Sequence, residues 1–94
     1  MRNLTLDDFA PHRGKAHEIL VNGGRLPAIL EEVQGLPGGV RQGGAFRLVF
    51  RGPHQPVLPQ GMYNIQRGSE TYEMVFMVPI AQVQQGIQYE AIFM

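Results

Sequence analysis

No cysteine occurs in these 94 residues. Disulfides, thiolate nucleophiles and Cys-ligated zinc sites are excluded together. An excess of charge is also missing, because eight basic residues balance eight acidic ones. A neutral chain exerts no long-range pull on phosphate backbones or anionic lipid, so no nucleic-acid partner is expected. Long apolar runs are absent. The longest, MVFMVPIA (74–81), falls well short of the ~20 residues a spanning helix needs. The opening MRNLTLDDFAPHRGK lacks the apolar core of a secretory leader. A soluble, cytoplasmic protein without membrane contact is therefore expected.

Nucleophiles are scarce. Ser69 sits in a turn beside Glu70, outside any G-x-S-x-G context, and the only lysine is Lys15. His12, His17 and His54 are the metal-ligand candidates, but none pair at i, i+2 or i, i+4 and no H-E-x-x-H pattern occurs. Neither a metal nor another cofactor is expected. The acid pair Glu31-Glu32 falls in a strand, where neighbours point to opposite faces, so it makes a poor acid/base dyad. The glycine-rich run GGVRQGG (38–44) has neither the G-x-G-x-x-G spacing nor a P-loop lysine. Together these gaps predict a non-enzyme.

What the chain has in quantity is punctuation. Twelve glycines and seven prolines are spread along its length and divide it into short elements. LTLDDFAPH (4–12) reads as a helical turn, with Thr5 as its cap, Asp8 in capping-box position and Pro11 as its end. From residue 15 the period becomes two. KAHEILV (15–21), LPAILEEV (26–33), AFRLVFR (45–51), GMYNIQR (61–67), YEMVFMVPI (72–80) and IQYEAIF (87–93) all read as strands. NGGR (22–25) and GSET (68–71) are turns, and GLPGGVRQGG (35–44) is a loop. A bulge is predicted at Glu31-Glu32, where alternation breaks, and Pro27 is assigned to a strand start or an edge. The expected fold is one all-β domain over residues 1–94. It has a short N-terminal helical turn and about six antiparallel strands in a small barrel or sandwich.

Alternation also assigns faces. Phe46, Leu48 and Phe50 are expected inside, with Arg47, Val49 and Arg51 outside. Glu73 and Glu90 are the expected cross-strand partners of the two arginines. In 72–80 the pattern sends Tyr72, Met74, Phe76 and Val78 inward and leaves Glu73, Val75 and Met77 outward. That makes Arg47, Val49, Arg51, Glu73, Val75 and Met77 the predicted interaction surface, since adaptable methionine faces suit protein contacts.

FRGPHQPVLPQGMY (50–63) is the most unusual stretch. Pro53, Pro56 and Pro59 each fix their own φ and push the residue before them out of helix. Gly61 allows the turn into the next strand. Val57 and Leu58 point opposite ways on an extended segment, so at least one can plug an open end of the fold, above an inward Tyr63. The stretch is thus read as a structural connection. The alternative is that His54, Gln55 and Gln60 grip a ligand.

LTLDDFAP, FRGP…PVLPQGMY, VPI and YEAIF together resemble a family of short bacterial β-rich proteins of unknown function. The resemblance covers nearly the whole chain, and LPQG-x-Y and YEAIF are its most specific parts. It departs at His17, where a larger apolar or aromatic residue is expected. The resemblance implies a single β-domain, and tail-collar-like bacterial proteins as its companions. The resulting expectation is an accessory or assembly domain acting by self-association or by contact with a protein partner, with a strand edge as one route. Two other readings remain open. One is a small barrel binding an apolar or sugar-like ligand beside Tyr63, Tyr72 and Tyr89. The other is a hydrolase built on His17 or His54.

Overall fold

The computed structural model describes residues 3–94. Six strands follow two short 3₁₀ turns at Leu6–Asp8 and Ala10–His12. They are β1 (Ala16–Val21), β2 (Gly24–Leu36), β3 (Ala45–Gly52), β4 (Gly61–Arg67), β5 (Glu70–Val83) and β6 (Gly86–Phe93). All pairings are antiparallel, and the order β1-β2-β3-β6-β5-β4 closes on itself as a barrel. Of barrel and sandwich, the chain adopts the barrel. Closure pairs most strand edges internally, so an open edge is a poor route to self-association.

The inward residues of alternating strands fill the barrel. Ile19, Leu30, Phe46, Leu48, Phe50, Ile65, Tyr72, Val75, Met77 and Tyr89 are all buried in one cluster. At one end the N-terminal turns lay Phe9 over the core, its ring 4.6 Å from Tyr72 and 6.0 Å from Phe46. The Asp8 carboxylate accepts a hydrogen bond from the Thr5 amide at 2.8 Å. The turn does not stop at Pro11, which lies inside the second 3₁₀ turn. Proline is tolerated there because the first N–H of a turn has no partner to lose.

Bulges decide which side chains face out. The β2–β3 register shifts between Leu30 and Glu32, leaving Glu31 as the extra residue. The bulge brings both Glu31 and Glu32 to the outer face, where Glu31 meets Arg51 and Glu32 meets Arg47. Simple alternation would have separated them. Past the bulge β2 runs on to Leu36, so the connecting loop is shorter than expected and spans 37–44. Pro27 lies within β2, in the part paired to β1 before pairing with β3 begins at Ile29. Leu30 exchanges hydrogen bonds with Lys15 and Gly14 on the β1 side. The two-residue period therefore turns the Pro27 nitrogen to the unpaired side, where a missing N–H costs no ladder bond.

The second bulge, in β5, inverts an expectation. Tyr63 pairs with Val75 but Ile65 pairs with Tyr72, so β5 carries one extra residue. Met74 takes up the irregularity at φ 58°, and its amide donates to Asn64 Oδ1 at 3.1 Å. One inserted residue flips every later side chain to the other face. Val75 and Met77, expected outside, are 0% and 1% exposed inside the barrel. Met74 and Phe76, expected inside, are 51% and 47% exposed.

The proline-rich stretch closes the other end. Leu58 is buried in the core cluster, and its amide donates to the Tyr89 hydroxyl at 2.9 Å. Val57, on the opposite side of the segment, is exposed. The Tyr63 hydroxyl donates to the Pro59 carbonyl, and its half-buried ring packs against the core. A ring nitrogen of His54 lies 2.8 Å from the Gln84 carbonyl, tying the stretch to the β5–β6 turn.

Candidate interaction surface

The outer wall has two regions of opposite character. On β2, β3 and β6, charged side chains are fastened to one another. Arg47 bonds Glu90 through Nε and Glu32 through Nη1. Arg51 Nε donates to Glu31 at 2.9 Å, and the Gln88 amide donates to the other Glu31 oxygen at 2.9 Å. These side chains roof over Val49, which sits in register with Glu32 and Glu90 and is fully buried although it points outward. The hydrogen bond from Gln88, and then the Arg51 guanidinium, hold the Glu31 carboxyl below its usual range. Glu90 holds the Arg47 guanidinium more firmly protonated than usual. Both arginines are thus satisfied within the sheet. Glu73 does not join them and lies exposed on β5, because β6 stands between β5 and the β3 strand that carries both arginines. Of the six residues predicted as a surface, Val75 and Met77 are core, Val49 is roofed, and Arg47 and Arg51 are paired.

On β4, β5 and β6 the wall is apolar and open. Met62 and Phe76 are cross-strand partners. Val78 pairs with Glu90, and continuing that register sets Phe76 level with Ile92. Met62, Met74, Phe76 and Ile92 are 55%, 51%, 47% and 49% exposed, with half-buried Val78 among them. Large apolar side chains gathered on one face mark contact sites more often than the same residues scattered singly. Sequence reasoning missed this set because it followed unbroken alternation through Met74. The apolar residues on both faces of 74–78 were the signal that could have revealed it.

The other candidates are tied down. The hydroxyls of Tyr63, Tyr72 and Tyr89 each bond a backbone group, namely Pro59 O, Asp8 O and Leu58 N. Tyr72 and Tyr89 are buried in the packed core. His17 is buried against Phe50, with no carboxylate among the described residues bonded to it, and His54 bonds a backbone carbonyl. Among the described residues no three His, Asp or Glu side chains group as metal ligands would, and no helix is long and apolar enough to cross a membrane. A shallow external groove of about 190 Å³, lined by Pro27, Ile29, Arg51 and Pro53 among others, lies where β2 and β3 separate. It is smaller than the cavities that usually hold small ligands, and two larger depressions, of about 380 Å³ over Thr5, Asp7 and Gly43 and about 410 Å³ over Arg13, Glu32 and Gln34, are open to solvent.

A small closed barrel with one charged, self-satisfied wall and one open apolar wall is the class of domain these observations define. The chain belongs to the family described as a domain of unknown function, DUF6916, whose profile matches residues 4–93. No curated protein and no solved structure matches it.

Proposed function

We propose that this domain is a non-catalytic accessory or assembly module that docks a protein partner on the outer face of β4, β5 and β6. The observation that carries the reading is the half-exposure of Met62, Met74, Phe76 and Ile92 on adjoining strands of one wall. Methionine suits such a face, since its unbranched, polarizable side chain adapts to different partner shapes. Burying these side chains in a contact recovers roughly 25 cal/mol for each Å² of apolar surface removed from water. The charged wall across β2, β3 and β6 supports the same reading by contrast, because its charges are already spent on one another. Tail-collar-like bacterial proteins, the companions implied by the sequence resemblance, are the first partners to test.

The test is capture from the native cell by tagged wild-type protein, by Phe76→Glu and by Asn22→Ser, which alters an exposed polar residue in the β1–β2 turn. Phe76→Glu should melt within a few degrees of wild type, since the residue is half in water. It should lose the captured partner, while Asn22→Ser keeps it. Equal capture by all three would reject this face. Light scattering of the wild type separates the two forms of the reading, a dimer indicating self-association and a monomer a different partner.

A further inference from the structure

The barrel closes through its shortest ladder. β1 and β4 pair over three positions, Glu18↔Gln66, Ile19↔Ile65 and Leu20↔Asn64, whereas β3 and β6 pair over seven. Outside the seam, Arg25 of β2 bridges it by donating to Glu18 at 2.9 Å and to Gln66 at 3.1 Å. Inside, Ile19 and Ile65 meet, both fully buried. Continuing the register by one step places His17 opposite Arg67. The two-residue period puts both on the inward face, where Arg67 Nη2 donates to the buried Tyr72 hydroxyl at 3.2 Å.

His17 is 2% exposed. Its Nδ1 lies 3.0 Å from the Lys15 carbonyl, which can only accept, so Nδ1 carries the proton of the neutral ring. Nε2 then presents a buried lone pair to which no group among the described residues donates. The groups around it offer a proton no counter-charge. Arg67 faces it from β4 and His12 from the second 3₁₀ turn, both raising the cost of a charge. The edge of Phe50 lies against it from β3, with ring centroids 5.4 Å apart, and Ala28 is its partner on β2. The nearby carboxylates are engaged elsewhere, Asp8 by the Thr5 amide and Glu18 by Arg25. Burial pushes the imidazole below its ordinary value; the hydrogen bond to the Lys15 carbonyl opposes it in part, and Arg67 and then His12 add smaller downward effects.

We propose that the β1–β4 seam is a proton-sensitive closure, at which protonation of His17 sets a second positive charge against Arg67 and opens the barrel along its thinnest ladder. Like charges directly opposed across strands destabilise the pairing between them. An opened seam uncovers Ile19 and Ile65 and frees one edge each of β1 and β4, surfaces to which an extended partner segment can add by backbone pairing. The sign follows from linkage. The closed state binds the His17 proton less well than the open state does. Closure is thus favoured above the ordinary imidazole value of 6.5 and weakens as pH falls below it.

Hydrogen exchange of the full chain from pH 7.5 to 5.5 tests this, with rates converted to protection factors so that the pH dependence of exchange chemistry drops out. Amides of Glu18–Leu20 and Asn64–Gln66 should be at least about tenfold less protected than those of the β3–β6 ladder, because they open without global unfolding. Below pH 6.5 their protection should fall by up to about tenfold per pH unit, the limit for one proton. His17→Phe should flatten that slope. Arg67→Met, a more conservative change should the first variant not fold, should confine the slope to a narrower pH window. Seam protection equal to that of β3–β6, a flat profile in the wild type, or a slope unchanged in a folded variant would each overturn the proposal.

Discussion

Leu58 and Val57 are neighbours with opposite fates. An extended chain held by prolines turns successive side chains to opposite sides, so the sequence required one of the pair to face the fold without saying which. The Tyr89 hydroxyl settles the choice by accepting the Leu58 amide and drawing that residue into the core. Leu58→Ala removes a buried side chain from the closed end of the barrel and should cost about 2–4 kcal/mol. Val57→Ala, at a side chain 55% exposed, should change stability by less than about 0.5 kcal/mol. Urea melts of the two variants check this, and equal midpoints would mean that Leu58 does not close the barrel. His17 was visible in the sequence as the place where the chain departs from the family it resembles. Its opposition to Arg67 was not, because that depends on which strands close the barrel.

Strands with regular alternation were legible from end to end. Residues 45–51 and 87–93 point as their two-residue period says, with Phe46, Leu48, Phe50, Ile87, Tyr89 and Ala91 buried. The Glu31 bulge was legible too, because a charged pair interrupts an apolar alternation. The β5 bulge left no such mark. Methionine is an uncommon residue at positive φ, and nothing in its chemistry announces an extra residue, so alternation carried through Met74 gave the wrong wall. A tight backbone approach at the β5–β6 turn was equally hidden. Gly86 sits at φ 152°, and a Cβ built there would lie 1.9 Å from the Gly52 carbonyl oxygen. Gly86→Ala must push β6 away from β3 at this end and should cost about 3 kcal/mol or more by urea denaturation. Gly24→Ala, with open space around its Cβ position, should cost less than about 0.5 kcal/mol. Comparable losses at both sites would contradict the packing described for this turn.

At the scale of the whole molecule, the barrel satisfies its own edges and most of its charges, and one wall of apolar side chains is left over. Balanced charge and the missing cysteine were legible as exclusions. The contact wall was not: its strands β4, β5 and β6 are neighbours in the sequence as in the barrel, but the β5 bulge decides which face Met74 and Phe76 take. Methionine oxidation by dilute peroxide tests that wall most directly, because exposed thioethers oxidise and buried ones are spared. In the free protein, Met62 and Met74 should oxidise while Met77, 1% exposed, stays intact. In the complex captured from native cells, Met62 and Met74 should be shielded as well. Oxidation of Met77 ahead of Met74 would contradict the bulge that builds the wall, and undiminished oxidation of Met62 and Met74 in the complex would contradict its role as the docking face.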